Sequence, residues 1–450
     1  MKKETIIQIC VIVVLIIGLG VLVYLTVGTN NKSDENVGSQ EQVAMQQGEA
    51  SSSNIEYSAE KEITESAEIS GKNFESTTSD QNAVLANGDI DVTLSESVIN
   101  KTGDSDGGDN TSFYGINSAI LAKGGANLTL KNITVTTDAK GANGVFSYGG
   151  SATTNNSSSD GTTVNISDST ITTTKDNSGG IMTTGGGTMN ATNLTINTAG
   201  TSSAAIRTDR GGGTVNVDGG TYTTTGQGSP AVYSTADVTV SNATLEAKAS
   251  EGLIIEGSNS ITINNCTVID TNNKLNGQST TYKNVFLYQS MSGDAANGNA
   301  VFTAKDSKIT TNKGDSFYVT NTTATINLTN NSIVNNDESG YFLRAQKDSW
   351  GKSGSNGGNV TLNMTNQSVT GNIAIDSIST LNMSMTSNSY YEGAINTDNS
   401  AKSITLKLDS TSKIKLTGDT YVTSLEDADS SYSNIDFNGY KLYVNGNAIN

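Results

Sequence analysis

The strongest constraint on this chain is a repeat that aligns without a gap. PAVYSTADVTVSNATLEAKASEG, starting at Pro230, runs straight into LIIEGSNSITINNCTV. Twenty-three residues on, Val238 falls on Ile261, Val240 on Ile263, Asn242 on Asn265 and Leu245 on Val268. Each copy holds an apolar strand, a short turn, an alternating strand, an Asn corner and a short third strand. One copy cannot bury its own apolar face, so the copies must stack. Short strands with an Asn corner at this period read as one coil of a parallel β-helix. Asn suits the corner because it tolerates the left-handed backbone and bonds to its neighbours in the stack.

The corner recurs at Glu96, Asn132, Asp168, Asn193, Gly219, Asn242, Asn265, Asp306, Asn330, Asn366, Ser387 and Ser410. The shortest spacings are bare coils, and the long ones are coils with an inserted loop. Twelve coils at the strand spacing would give a rod of roughly 55–60 Å. The expected fold is therefore all-β, a single-stranded right-handed parallel β-helix of about twelve coils over residues 76–450.

Ahead of it, residues 6–27 are almost wholly apolar, and at ~1.5 Å per residue such a run spans a bilayer. Lys2 and Lys3 precede it. The positive-inside rule then puts residues 1–5 in the cytoplasm and the rod outside the cell membrane. The rival is a cleaved signal peptide, but the apolar run is longer than the usual h-region and no small-x-small site follows. Residues 28–75 carry ten carboxylates against three lysines and few apolar side chains, as in a disordered acidic linker.

Charge and composition narrow the function. The chain has a net charge of −18, which disfavours nucleic acid as a partner. Histidine is absent, which removes the commonest general base and any Ser-His-Asp triad. An Asp/Gly turn in the first coil places Asp104, Asp106 and Asp109 as possible calcium ligands. The spacing is short for an EF-hand and its terminal Glu is missing, so a solvated turn is the alternative.

Inserted loops fall at 150–161, 270–283, 290–299 and 346–358, the last holding the only tryptophan, Trp350. They flank the first strand of their coils. Alternation sends Ile120, Val145, Ile181, Ile206, Val232, Ile255, Val285, Leu287, Val319, Ile373, Ile375 and Ile395 inward. The opposite set holds Phe146, Tyr148, Tyr233, Phe286, Tyr288, Tyr318 and Phe342. That set also carries Arg207, Asp209, Glu256 and Arg344. An exposed row of rings would make a platform for apolar sugar faces, with the charged groups as hydroxyl partners. Two alternatives stand beside this: a one-residue slip that turns the rings inward, or loops that fold back over them.

The motifs SPAVYSTADVTVSNATL and SEGLIIEGSNSITINNCTV resemble the right-handed parallel β-helix superfamily of pectate lyases, polygalacturonases and non-catalytic surface proteins. Among these they are most similar to surface β-helix proteins of Gram-positive bacteria, including a carbohydrate-binding group. The resemblance covers roughly residues 84–440. It implies that the first strand of each coil lines a binding groove. The enzymes' own residues match thinly. Asn396-Thr397-Asp398 has the triplet of polygalacturonases, but their Asp-Asp pair and Gly-His-Gly have no counterpart. Arg207, Asp209, Arg210 and Glu256 are a sparse version of a lyase's calcium carboxylates and base. Glu256 with Asp209 are the two carboxyls to consider for inverting hydrolysis, which needs them ~6.5–9.5 Å apart. The expectation is a membrane-anchored extracellular adhesin or carbohydrate binder without chemistry of its own. A polysaccharide lyase or hydrolase is the first rival, and a structural surface spacer the second.

Overall fold

The computed structural model describes residues 55–105, 108–151 and 158–450, so the expected membrane segment and most of the linker lie outside the described residues. Within these residues no helix is long and apolar enough to cross a membrane. The chain is all-β with long parallel sheets. Among the described residues the one helix is the short Asp109–Tyr114.

The period of the sequence becomes the register of the sheets. Val238–Val240 pairs in parallel with Ile261–Ile263, one repeat on. The first strand of each coil joins a twelve-stranded sheet that runs from Ala59–Ile63 to Ile373–Ile375. The second and third strands form two further parallel ladders. The arrangement is compatible with a parallel β-helix. It holds one continuous aliphatic interior, in which all twelve of the expected inward residues lie.

The corners explain why the second and third strands bend apart. Eleven of the twelve expected corner residues sit at positive φ, from 47° at Asn366 to 74° at Gly219. Their side chains rung the stack together: Asn132 Nδ2 donates to Glu96 Oε1 at 2.7 Å, and Asn265 Nδ2 to Asn242 Oδ1 at 2.8 Å. Ser410 departs from the pattern. There Asp409 Oδ1 accepts from the backbone N–H of Thr411 and Ser412, and this side chain shapes the turn instead.

One boundary needs correction. A full coil precedes residue 76: Ala59–Ile63, Ala67–Ser70 and Asn73–Ser76 pair with the next coil. Its corner is Gly71, at φ 64°. The acidic composition of 28–75 hid it, because the carboxylates of these edge strands point to water, as the exposed Glu60, Glu62 and Glu68 show. At the far end, Leu442–Val444 turns back on Asn447–Ala448 in an antiparallel pair.

Phe342 is also corrected. Its strand starts one residue later, at Leu343, so alternation does not extend back to it. The ring lies in the interior, 5.4 Å from Phe317.

Candidate functional site

The first sheet's ladder fixes which outward residues stack. One rank runs Leu121, Phe146, Met182, Arg207, Tyr233 and Ile254, then Phe286, Tyr318, Arg344 and Ala374. A second rank sets Glu256 beside Tyr288. The rings do point away from the main interior, as alternation requires. They are not exposed: Phe146, Tyr148, Tyr233, Phe286, Tyr288, Tyr318 and Trp350 are each 8 % exposed or less. The expected open platform is replaced by two further apolar cores on the outer side of the sheet.

The insertions supply the covers. After the second coil the helix Asp109–Tyr114 lays Phe113 and Tyr114 over Phe146 and Tyr148, with the Tyr114 and Tyr148 rings edge to face at 5.6 Å. Gly115 follows it at φ 70°, and a Cβ there would lie 2.8 Å from the Phe146 ring. Farther along, Trp350 packs 5.4 Å from Phe286 and 5.3 Å from Tyr288. A strip of adjacent rings is costly to leave wet, so polar loops carrying a few apolar residues close over it.

Charged groups are trapped under the same covers. Arg207 Nη2 meets Asp209 Oδ2 at 2.6 Å, and both side chains are buried. Arg210 reaches across to Asp294 of the 290–299 loop, with Nη2 at 2.8 Å and Nε at 3.0 Å. Glu256 accepts hydrogen bonds from Tyr233, from Ser290 of the loop, and from Tyr288 at 3.0 Å. The loop is thus tied to the strip by two carboxylates. Lys283, which the sequence reading passed over, is fully buried: its ammonium lies 4.4 Å from the Phe286 ring centre and 4.8 Å from that of Tyr318. Glu251 stands 3.7 Å away. Burial pushes this lysine below its ordinary pKa, against the pull of Glu251, Asp348 and Asp315.

Burial also pushes the Asp209 carboxyl up to about 7, outweighing the nearby Arg207 guanidinium. Glu256 is likewise raised by burial, against the hydrogen bonds of Ser290 and Tyr233. Burial thus makes the native Asp209 hold its proton to higher pH than an unfolded Asp, which releases it near pH ~4. Between these values the native state binds more protons, so stability falls as pH rises through the window and levels off above it. Thermal melts between pH 4 and 8 are expected to show this fall, and Asp209→Asn to make it shallower, with the raised Glu256 carboxyl keeping part of the slope. An identical slope in the variant would show that Asp209 does not titrate there.

Of the three carboxylates expected in the calcium turn, only the Asp104 side chain lies within the described residues. Asp104 Oδ1 accepts the Lys140 backbone N–H at 2.7 Å. Asp106 and the side chain of Asp109 lie outside the described residues. Among the described residues no three metal-ligating side chains converge.

The strip emerges from its cover at Arg344. Ala374, the next residue in the rank, is small, and an open cleft of about 130 Å³ lies over it. Tyr341, Arg344 and Gln346 form one side, with Asp376 beside the floor and Asn396–Ser400 opposite. The Arg344 guanidinium lies 4.1 Å over the Tyr341 ring and is paired with the buried Asp315, Nε to Oδ2 at 2.6 Å. Asn396, the next in the rank, is committed to backbone: its Oδ1 accepts from Ser400 N and Ala401 N, and its Nδ2 donates to Tyr421 O. Thr397 and Asp398 are exposed. Beyond them the rank ends in Tyr421 and Tyr443, stacked at 4.6 Å and 3°. The sequence reading missed this tyrosine pair, although its 22-residue separation is one coil period.

No family model, no curated protein and no solved structure matches this chain.

Proposed function

We propose that this chain is a membrane-anchored extracellular right-handed parallel β-helix of the pectate-lyase-like kind, and that it binds carbohydrate through the cleft over Ala374. The observation that carries the reading is where the outward strip opens. At its far end a concave stretch gathers a tyrosine, a guanidinium, carboxylates and hydroxyls around a small floor residue. Shallow clefts with a few convergent polar groups and an aromatic wall suit sugars, whose rings offer both hydroxyls and apolar faces. Binding is favoured over lyase or hydrolase chemistry because Arg207, Asp209 and Glu256 are buried and bonded beneath loops, away from that cleft. The apolar run at 6–27 supplies the anchor in this reading.

The test is a glycan array probed with the purified full chain, with and without calcium. Retention of glycan without release of products is the expected result. Unsaturated, ultraviolet-absorbing products would make it a lyase, and new reducing ends a hydrolase. Retention of nothing would leave a structural spacer.

A further inference from the structure

We infer that the outer face of the third strands binds ice, through a two-file array of threonines that holds water at a fixed pitch. The first file is Thr134, Thr170, Thr195, Thr221, Thr244 and Thr267, six coils in unbroken parallel register. Thr136, Thr172, Asn197 and Thr223 stand beside the first four, two residues along each strand. Between the files, Val135, Ile171, Ile196 and Tyr222 are fully buried, so each strand is anchored to the interior through the middle of the array. Threonine is stiff about χ1, which limits how far its hydroxyl can wander. The hydroxyls therefore repeat at ~4.8 Å across the strands and ~6.6 Å along them.

The array is open and unbonded. Thr134, Thr170, Thr195 and Thr221 are exposed, and the file is led by Val98, the same shape as threonine and 39 % exposed. Among the described residues none of the nine threonine hydroxyls in the two files has a hydrogen-bond partner in the protein. The neighbouring face, on the second strands, is different. There Asn127, Asn165, Asn190 and Asn216 bond to one another at 2.9–3.1 Å, so their amides are already engaged within the sheet.

Each free hydroxyl can donate one hydrogen bond and accept two, and in this array only water is there to meet them. Waters shared between adjacent hydroxyls are held at the pitch of the sheet, and the methyl groups beside them offer no competing bond. A face that already holds water in rows can join a solid lattice of water with little further ordering. Charge would disrupt such rows, and the first four coils of the array carry none, in a chain of net charge −18. Its edges are defined: Glu246 and Ile269 interrupt the second file, and Lys308 ends the first. Sugar is a poor occupant here, because neither file offers a ring for an apolar sugar face.

The test freezes a detergent solution of the purified full chain slowly from one end and compares its concentration in the ice with that in the remaining liquid. An advancing ice front rejects ordinary solutes, so enrichment of the chain in the ice is the expected result. Thr195→Lys with Thr221→Lys, both at exposed positions, should abolish the enrichment while leaving the thermal melt unchanged. Thr214→Lys, exposed on the second-strand face, adds the same kind of charge outside the array and should enter the ice as the parent does. Rejection of the parent by the ice overturns the inference. So does parental enrichment in the double variant, or an equal loss in Thr214→Lys. None of these results bears on glycan binding, since the cleft lies on the first sheet.

Discussion

Val240→Asp is expected to unfold the centre of the stack. Val240 is fully buried, with Val217 and Ile263 in register on either side. A carboxylate there has no partner, and burying it costs several kcal/mol even after it takes up a proton. Contacts in such an array are made mainly between neighbouring coils, so the damage should appear first in the adjacent coils and fade with distance. Hydrogen exchange over residues 215–265 should accelerate strongly while the ends of the chain change little. Parental protection throughout 215–265 would refute the inward assignment of this column.

Phe286→Ala should destabilise the protein by ~3–5 kcal/mol, the usual cost of removing a buried ring. Phe286 stacks on Tyr288 at 4.4 Å and touches Tyr318 and Trp350. Its loss would open a cavity beneath the 346–358 loop and remove one ring from around the Lys283 ammonium. Urea melts should shift to a markedly lower midpoint, while retention of glycan at the distant cleft survives in the folded fraction. A platform ring would behave the other way, with an unchanged melt and lost binding. That outcome would restore the open strip.

The interior was legible because it depends on period alone. Alternation in each first strand named twelve inward residues, and all twelve lie in the core. The corners were legible for the same reason, since positive φ selects Asn, Asp and Gly. What alternation cannot report is what lies above an outward face. Phe286 and Tyr288 are outward from the sheet and still buried, because a loop some sixty residues farther along brings Trp350 over them. Lys283 shows the same limit: nothing local in KNVFLY marks its lysine as buried, since the rings around it come from three different coils. Tyr421 escaped for a different reason. Its strand, Thr420–Val422, alternates as the others do but lies beyond the last coil whose first strand was assigned, so its register with Leu442–Val444 is what picks it out.

The antiparallel turn at the C-terminal end has a consequence for self-association. A stack of parallel strands ends in an open row of backbone donors and acceptors, and an unblocked row is a template for another chain to continue. Here Asn447–Ala448 folds back onto Leu442–Val444 and occupies that row itself. The new edge is two residues long and runs in the opposite direction, so a second molecule's first coil finds no matching register on it. At this sheet the Asn447–Ala448 return opposes in-register pairing of another molecule's parallel strand on Leu442–Val444.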